Sequence, residues 1–197
     1  MGITLDETLT YNIHINNIIK KVNHKIFMLK RIRKYLTIKT SVLIYKSFIL
    51  PIVEYGSILY MNASKSHLDR LQTLQNHGLK CCLDVNKRTQ TSFIHKKTNL
   101  NYLEDRRKAQ MLKYMYIRSL ENRFLEIEYE GPTTRLRNSK KMLTPNFKCA
   151  QTQKSVVYTG SVLWNNRDKS LKNVNDKKLF NIIVKKKLIE QINTYCT

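Results

Sequence analysis

The sequence predicts a mainly α-helical protein. Apolar residues recur at three- and four-residue intervals in successive segments, and helix-capping residues precede several of these segments. The chain has 197 residues, of which 42% are hydrophobic, and this is enough to bury a core and to exclude a disordered chain. We therefore expect an N-terminal three-helix bundle, followed by a smaller helical C-terminal region with an irregular basic arm.

The first helix is expected from Tyr11 to about Tyr35, with Thr10 as its N-cap. Before it, residues 1–6 resemble a short strand that runs into a turn. Two opposite faces follow from a step of 100° per residue. The apolar face is Ile15, Ile18, Ile19, Val22, Ile26 and Leu29, and the polar face is Asn16, Lys20, His24, Phe27, Arg31 and Lys34.

The next two helices complete the predicted bundle. Thr37 is expected to cap the second helix, and Pro51 to end or kink it, with a kinked helical continuation favoured over a strand for residues 52–60. Ser66 and Asp69 resemble a capping box for the third helix. The expected buried positions are Val42, Leu43, Tyr45, Phe48 and Ile49 in the second helix and Leu68, Leu71, Leu74, Leu79 and Leu83 in the third.

The second half of the chain contains helices separated by an aperiodic segment. We expect a short helix at residues 91–100, a longer one at 103–122, a short strand or helix at 156–164 and a final helix capped by Asp176. Residues 128–153 lack a helical period and contain Gly131, Pro132 and Pro145, which indicates a linker or arm. The expected organisation is a bundle at 1–88, connecting helices at 89–127, a basic arm at 128–154 and a C-terminal element at 155–197.

Charge is the most informative property of the composition. Lys and Arg number 36 against 14 Asp and Glu, so the net charge is +22. Between Glu7 and Glu54 there are nine basic residues and no carboxylate, and from Arg135 onward 14 basic residues face three acidic ones. Such an excess favours a polyanionic partner, RNA or DNA bound through its phosphate backbone. The alternative is that the lysines only cover solvated faces.

The candidate nucleic-acid contacts lie in three places. They are Lys20, His24, Arg31 and Lys34 on the first helix, Arg135, Arg137, Lys140 and Lys141 in the arm, and Lys185, Lys186 and Lys187 on the last helix. The arm has an equally good interpretation as an interdomain linker. Phe27 can lie against a sugar or base, although an aromatic residue at this spacing is more often part of a core. Trp164 is expected to pack the C-terminal helix rather than to stack on a base.

Other functional classes find little support in the sequence. No segment has the length and apolarity of a membrane span, and no signal peptide is recognisable, so an intracellular protein is expected. The four cysteines form no metal-binding spacing and are expected to be buried and reduced. There is no phosphate-binding Gly-rich motif, and His77 with Cys81 lacks a third group, so no cofactor, metal or small-molecule substrate is expected.

Five blocks resemble the thumb and C-terminal region of reverse transcriptases from non-LTR retrotransposons, in particular the jockey-like elements. Each is similar to a family motif, and their order is that of the family. The blocks are residues 1–6 with Leu9 and His14-Ile15; 43–51 with Glu54-Tyr55-Gly56; 68–72 with 74–76; 103–107; and 158–165. Two departures concern local loops, since Ser161 replaces the usual Ala and no Pro follows residues 165–167.

The resemblance implies that the first three helices form a thumb that grips a template–primer duplex. It also implies a parent RNA-directed DNA polymerase whose palm and fingers lie upstream. The family's catalytic metals require an adjacent Asp pair, and this chain has none, so we expect no polymerisation by the chain alone. The alternative is an inert remnant, or a domesticated module that acts in protein–protein or membrane-surface interaction.

Overall fold

The computed structural model describes residues 2–120, 142, 144–167, 171, 174 and 176–194, with side chains as far as residue 192. The described residues are mainly helical and form no extended strand, which confirms the predicted fold class. The chain divides into two compact units, the first comprising Met1–Arg107 with Ile189–Thr197 and the second Lys108–Leu188. No described helix is long and apolar enough to cross a membrane.

Helix α1, Asn12–Ile32, is the predicted first helix, and its apolar side is buried as predicted. Its start differs, because the N-cap is Tyr11 in a left-handed conformation (φ 59°) and not Thr10. The Asp6 carboxylate accepts hydrogen bonds from the backbone N–H groups of Thr10 (2.9 Å) and Tyr11 (2.8 Å). The predicted strand at residues 1–6 is wrong for the described part, because residues 2–6 form no regular secondary structure; a turn at Glu7 and Thr8 follows them.

Helix α2, Ile38–Ile44, begins at Thr37 as predicted, since the Thr37 hydroxyl accepts a hydrogen bond from the Thr40 N–H at 3.2 Å. It passes into a π-helical turn at Tyr45–Ile49 and then into α3, Leu50–Glu54. Pro51 lies in the first turn of α3, directly after the π-helical turn, so the helix does not end at Pro51 but changes its geometry just before it. The predicted helical continuation after Pro51 is confirmed as far as Glu54 and is wrong for residues 55–60, where the chain turns.

Two residues of the predicted buried face of this segment are exposed. Tyr45 and Ile49 are buried and Val42 packs against the core, whereas Leu43 and Phe48 are 65% and 69% exposed. The buried residues are spaced by three and four positions along the helix, and the two exposed ones fall outside that stripe. The sequence prediction therefore included two residues, Leu43 and Phe48, that are apolar but do not lie on the buried face of the helix.

Helix α4, Lys65–Leu83, packs against α1 and α2 to complete the first bundle. Its N-cap is Ser64, whose hydroxyl accepts from the His67 N–H, so the predicted capping box at Ser66 is wrong by two residues. Gly78 allows the close approach of Tyr45, because a Cβ at this position would lie 2.5 Å from Tyr45 Cε2. Helix α5, Thr91–Thr98, then packs on α4.

Helix α6, Leu103–Leu120, starts with the acidic pair Glu104-Asp105, which suits the positive end of the helix dipole. Residues 156–165 form helix α7, Val156–Asn165, rather than a strand. The last helix, α8, Lys177–Thr194, has Asp176 at its start as predicted, with its carboxylate accepting from the Lys178 N–H at 2.9 Å. Phe180 and Val184 of this helix are buried, whereas Leu179 and Ile189 are about half exposed, at 47% and 51%.

Candidate nucleic-acid interface

The outer side of α1 is a continuous basic surface. Lys20, His24 and Arg31 are exposed on it, and Lys34 is exposed in the 3-10 turn Arg33–Tyr35 that follows. The helix contains no Asp or Glu. We call Lys20, His24, Phe27, Arg31 and Lys34 the α1 basic face. The structure places these residues together on the surface, and their contact with nucleic acid stays a prediction.

Three further lysines of α1 are exposed and were not among the predicted contacts: Lys21, Lys25 and Lys30. The run of basic residues without a carboxylate is the signal that includes them. Within the described ranges no carboxylate forms an ion pair with any lysine or arginine of α1. Their charges are therefore available to a polyanion at the surface.

Arg33 differs from its basic neighbours, because it holds the bundle together. Its Nε donates to the Cys82 carbonyl at 2.8 Å, and its Nη1 donates to the Leu36 carbonyl at 2.7 Å. The first of these bonds joins the segment that follows α1 to the end of α4, and the second is local. Arg33 is thus a structural residue, although its type and position in the sequence resemble those of the surface cations.

Exposed apolar and aromatic side chains accompany the cations. Phe27 is 60% exposed, so the expectation that it more often belongs to the core is wrong here. Tyr35 is 77% exposed, and the Lys34 ammonium lies 4.8 Å from the centre of its ring. Aromatic faces beside basic residues are able to stack on bases or sugars while the cations contact phosphates. Cations and exposed aromatic rings are thus found together on this surface, and contact of these residues with nucleic acid stays a prediction.

The predicted nucleic-acid contacts outside α1 lie in the arm and on α8, and they differ in their exposure. Arg135, Arg137, Lys140 and Lys141 lie outside the described residues. On α8, Lys185 and Lys186 are exposed, whereas Lys187 is partly buried and interacts with other groups of the chain. The last of these is therefore a weaker candidate for phosphate contact than its two neighbours.

Several residues of the recognisable sequence blocks form the scaffold behind this surface. Glu54 and Arg106 are ion-paired, which ties the end of α3 to α6. The Lys46 ammonium donates to the carbonyls of Thr98 (2.9 Å) and Asn99 (3.3 Å) at the end of α5. Two blocks that are far apart in the sequence, 43–51 with 54–56 and 103–107, are thus connected within the first unit, and the first of them is also joined to the end of α5.

A polar network buried between α4, α5 and the start of α6 extends this scaffold. Gln72 donates to Asn76 Oδ1 at 2.9 Å, and its own Oε1 accepts from the Leu103 N–H at 2.9 Å. Gln75 donates to the Asn101 carbonyl at 3.1 Å. The glutamines and asparagine of the 72–76 block therefore fix the α5–α6 connection, and a buried network of this kind tolerates little change.

His95 completes that network and should make folding depend on pH. Its Nδ1 lies 2.6 Å from the Leu100 carbonyl oxygen and its Nε2 lies 2.9 Å from Asn76 Oδ1. Burial lowers the pKa of His95 from its ordinary 6.5. The unfolded chain then binds the proton more readily, so the free energy of unfolding should fall as the pH falls below about 6.5. The lowered pKa of His14, caused mainly by burial, acts in the same direction.

We expect His95→Gln to weaken this pH dependence and to lower the free energy of unfolding at pH 7.5 by about 1–3 kcal/mol, because buried partners lose a hydrogen bond. Urea denaturation between pH 7.5 and 5.5 measures both effects. His77→Gln, an exposed change on α4, is the matched control. Equal pH dependence in the wild type and the His95 variant would show that His95 is not the responsible group.

The last sequence block forms the core of the second unit. Trp164 is buried and its ring centre lies 6.3 Å from that of Tyr116 on α6 and 6.2 Å from that of Phe180 on α8. The Arg167 guanidinium lies 3.8 Å from the Trp164 ring centre. Trp164 therefore packs the final helix, as predicted, and is not accessible to a base.

Two other residues of that block also have structural contacts. Gly160 lies against Met115, where a Cβ would come within 2.5 Å of the sulfur. Asn165 pairs with the backbone of Met142, accepting from its N–H and donating to its carbonyl at 2.9 Å each. A glycine and an asparagine are needed at these positions for space and for backbone pairing, respectively.

The described cysteines are free and give no sign of a nucleophile. Cys82 is buried and Cys81 half-buried, as expected, whereas Cys149 is exposed, contrary to expectation. Burial raises the pKa of both the Cys81 and Cys82 thiols, the latter to about 12. A thiol with a raised pKa is a poor nucleophile at neutral pH. No group of three His, Cys, Asp or Glu side chains suited to a metal ion occurs among the residues that the structure describes.

Comparison with known proteins confirms the resemblance to RNA-directed DNA polymerases of jockey-like non-LTR retrotransposons. The chain is 32% identical over 118 residues (58% of its length) to the polymerase from mobile element jockey, and 26% identical over 108 residues (53%) to the probable polymerase from transposon BS, both of Drosophila melanogaster. It is also 30% identical over 79 residues (39%) to that of transposon X-element of the same organism.

The matched regions cover 13%, 12% and 9% of these three relatives, so the chain corresponds to a small part of each. No protein-family model matches the chain, and no solved structure matches it.

Proposed function

We propose that the chain binds the sugar–phosphate backbone of RNA or DNA through the α1 basic face, with little sequence preference. The main support for this proposal is the array of exposed Lys and Arg side chains on α1, a helix that contains no Asp or Glu. Lys and Arg neutralise phosphates and release condensed counterions, and this term dominates sequence-independent binding. The polymerases that the chain resembles act on nucleic acid by name, which supports the same partner.

The dimensions of α1 suit a nucleic-acid strand. From Lys20 to Arg31 the helix advances about 16 Å, at about 1.5 Å per residue. Phosphates of one strand follow one another at about 3.4 Å along a duplex axis, so this length spans about five of them. Exposed Phe27 lies between the two cations along the helix and offers an aromatic surface to a sugar or base. The face is thus long enough for several simultaneous phosphate contacts.

We also propose that polymerisation does not reside in this chain. The two-metal mechanism of nucleotidyl transfer needs converging carboxylates, and no Asp-Asp pair occurs in the sequence. The chain also corresponds to a small fraction of the polymerases that it resembles. Its contribution would then be to hold the nucleic acid for catalytic residues located elsewhere.

Filter binding to a hairpin RNA and to an RNA–DNA hybrid duplex, between about 50 and 200 mM salt, tests the binding proposal. If about six phosphates are neutralised, affinity should fall by about three orders of magnitude over this range. The same preparation, given Mg²⁺, a primed template and nucleotides, should not extend the primer. A flat salt dependence or absent binding at low salt would overturn the first proposal, and primer extension would overturn the second.

A further inference from the structure

A pocket lies beside the N-terminal half of α1, next to the α1 basic face. It is open to solvent, and the empty space at the pocket is about 380 Å³ when the adjoining open solvent is included. The residues that line it include Thr4, His14, Asn17 and Lys21. None of the residues that line it is Asp or Glu. The lining therefore combines a cation with hydrogen-bond donors and has no anionic side chain.

His14 is the distinctive residue of this pocket. It is 6% exposed, and its Nδ1 accepts a hydrogen bond from the Thr4 backbone N–H at 3.3 Å. In the neutral ring the proton must then lie on Nε2, which becomes a donor. Within the described part of the chain, Nε2 has no hydrogen-bond partner. A buried donor without an acceptor is unusual in folded proteins and calls for a ligand or water.

Lys21 lies two turns after His14 on the same side of α1. The pKa of His14 is lowered, first by burial and then by the positive charge of Lys21. An anion between the two groups would offset both effects on this pKa, because it accepts the Nε2 proton in a hydrogen bond and neutralises the lysine. Asn17, one turn before Lys21 on α1, adds an amide donor on the same wall.

We propose that this pocket binds a phosphate group through the Lys21 ammonium and the Asn17 amide, and that the bound phosphate draws the shielded His14 Nε2–H into a hydrogen bond. A phosphate offers several acceptor oxygens, which matches a pocket rich in donors. Lys21 directly follows Lys20, and His24 lies one turn further along α1, so a strand on the α1 basic face passes the mouth of the pocket. The idea that the phosphate belongs to a nucleic-acid strand on the α1 basic face rests on the proposed function. The binding of inorganic phosphate by the pocket does not rest on it.

The experiment follows the His14 ring by NMR in the full chain, with the resonance assigned from His14→Gln. Sodium phosphate should shift the Nε2 signal in a saturable way, while sodium chloride at the same ionic strength should not. Lys21→Gln should weaken this response at least tenfold. Lys25→Gln is the matched control, an exposed lysine one turn along that does not line the pocket, and it should leave the response unchanged.

A second titration uses a hybrid duplex with unphosphorylated ends, so that only internal phosphates are offered. A His14 shift with both ligands supports the proposal in full. A shift with inorganic phosphate alone supports the pocket and overturns the strand as its source. If the duplex binds and neither ligand shifts His14, the pocket is overturned and the proposed function stands. If phosphate shifts His14 and the duplex does not bind, the proposed function fails and the pocket stands.

Discussion

Replacing Lys20, Arg31 and Lys34 together by Gln should lower the affinity for a hybrid duplex by two to three orders of magnitude at 100 mM salt. Each phosphate contact releases about 0.9 counterion, so each lost contact lowers the affinity by a constant factor. The factors for three lost contacts are expected to multiply. The slope of log affinity against log salt should become shallower by about 2.7. Filter binding of wild type and variant over a range of salt concentrations measures both quantities.

The matched control removes the same charge elsewhere. Arg88, Lys96 and Lys97 lie in and just before α5, and all three are exposed. Their triple Gln variant has the same net charge as the test variant, so it separates local contact from the general attraction of a basic protein. Equal losses in the two variants would contradict a role for the α1 basic face and would assign binding to net charge alone.

Replacing Trp164 by Ala should destabilise the second unit by about 3–5 kcal/mol, the usual cost of removing a large buried aromatic residue. The Trp164 ring contacts α6 through Tyr116 and α8 through Phe180, and Tyr116 and Phe180 also stack on each other at 4.1 Å. Loss of the indole would leave a cavity among three helices. Urea denaturation followed by circular dichroism measures the change without relying on the lone tryptophan's fluorescence.

Val157→Ala is the control for that experiment, because it shortens an exposed apolar side chain on the same helix α7. It should cost less than about 1 kcal/mol. Trp164→Phe should recover part of the stability, since a smaller ring still fills some of the cavity. A Trp164→Ala variant as stable as the Val157 control would show that Trp164 is not the anchor of these helices.

Elements defined by local periodicity were predictable from the sequence. The two faces of α1 follow from residue spacing alone, and Thr37 and Asp176 were identified correctly as helix-start residues because their bonds reach only two or three positions along the chain. Thr10 and Ser66 were not caps, since several polar residues compete at each start. At the start of α1, the Asp6 carboxylate accepts hydrogen bonds from the backbone N–H groups of Thr10 and Tyr11. The polar side chain that bonds to the backbone here is therefore that of Asp6 and not that of Thr10.

Burial of particular side chains was less predictable. Phe27 and Phe48 are apolar and lie within helices, yet both are exposed, at 60% and 69%. Arg33 resembles Lys34 in charge and position, yet it bonds to the Cys82 carbonyl, 49 residues away. Residue type and spacing define a helix face, but they do not determine whether that face is exposed to solvent or packed against another helix.

The sequence by itself determined the helical class, the charge of α1, the lack of an Asp-Asp pair and the likeness to retrotransposon polymerases, because these depend on residue type and order. Only the tertiary structure decided what the recognisable blocks do. Glu54 with Arg106, and Asn76 with His95, are joined across 52 and 19 residues. Among the residues that the structure describes, His14 Nε2 has no hydrogen-bond partner. Such pairings arise when helices pack, so no local pattern in the chain encodes them.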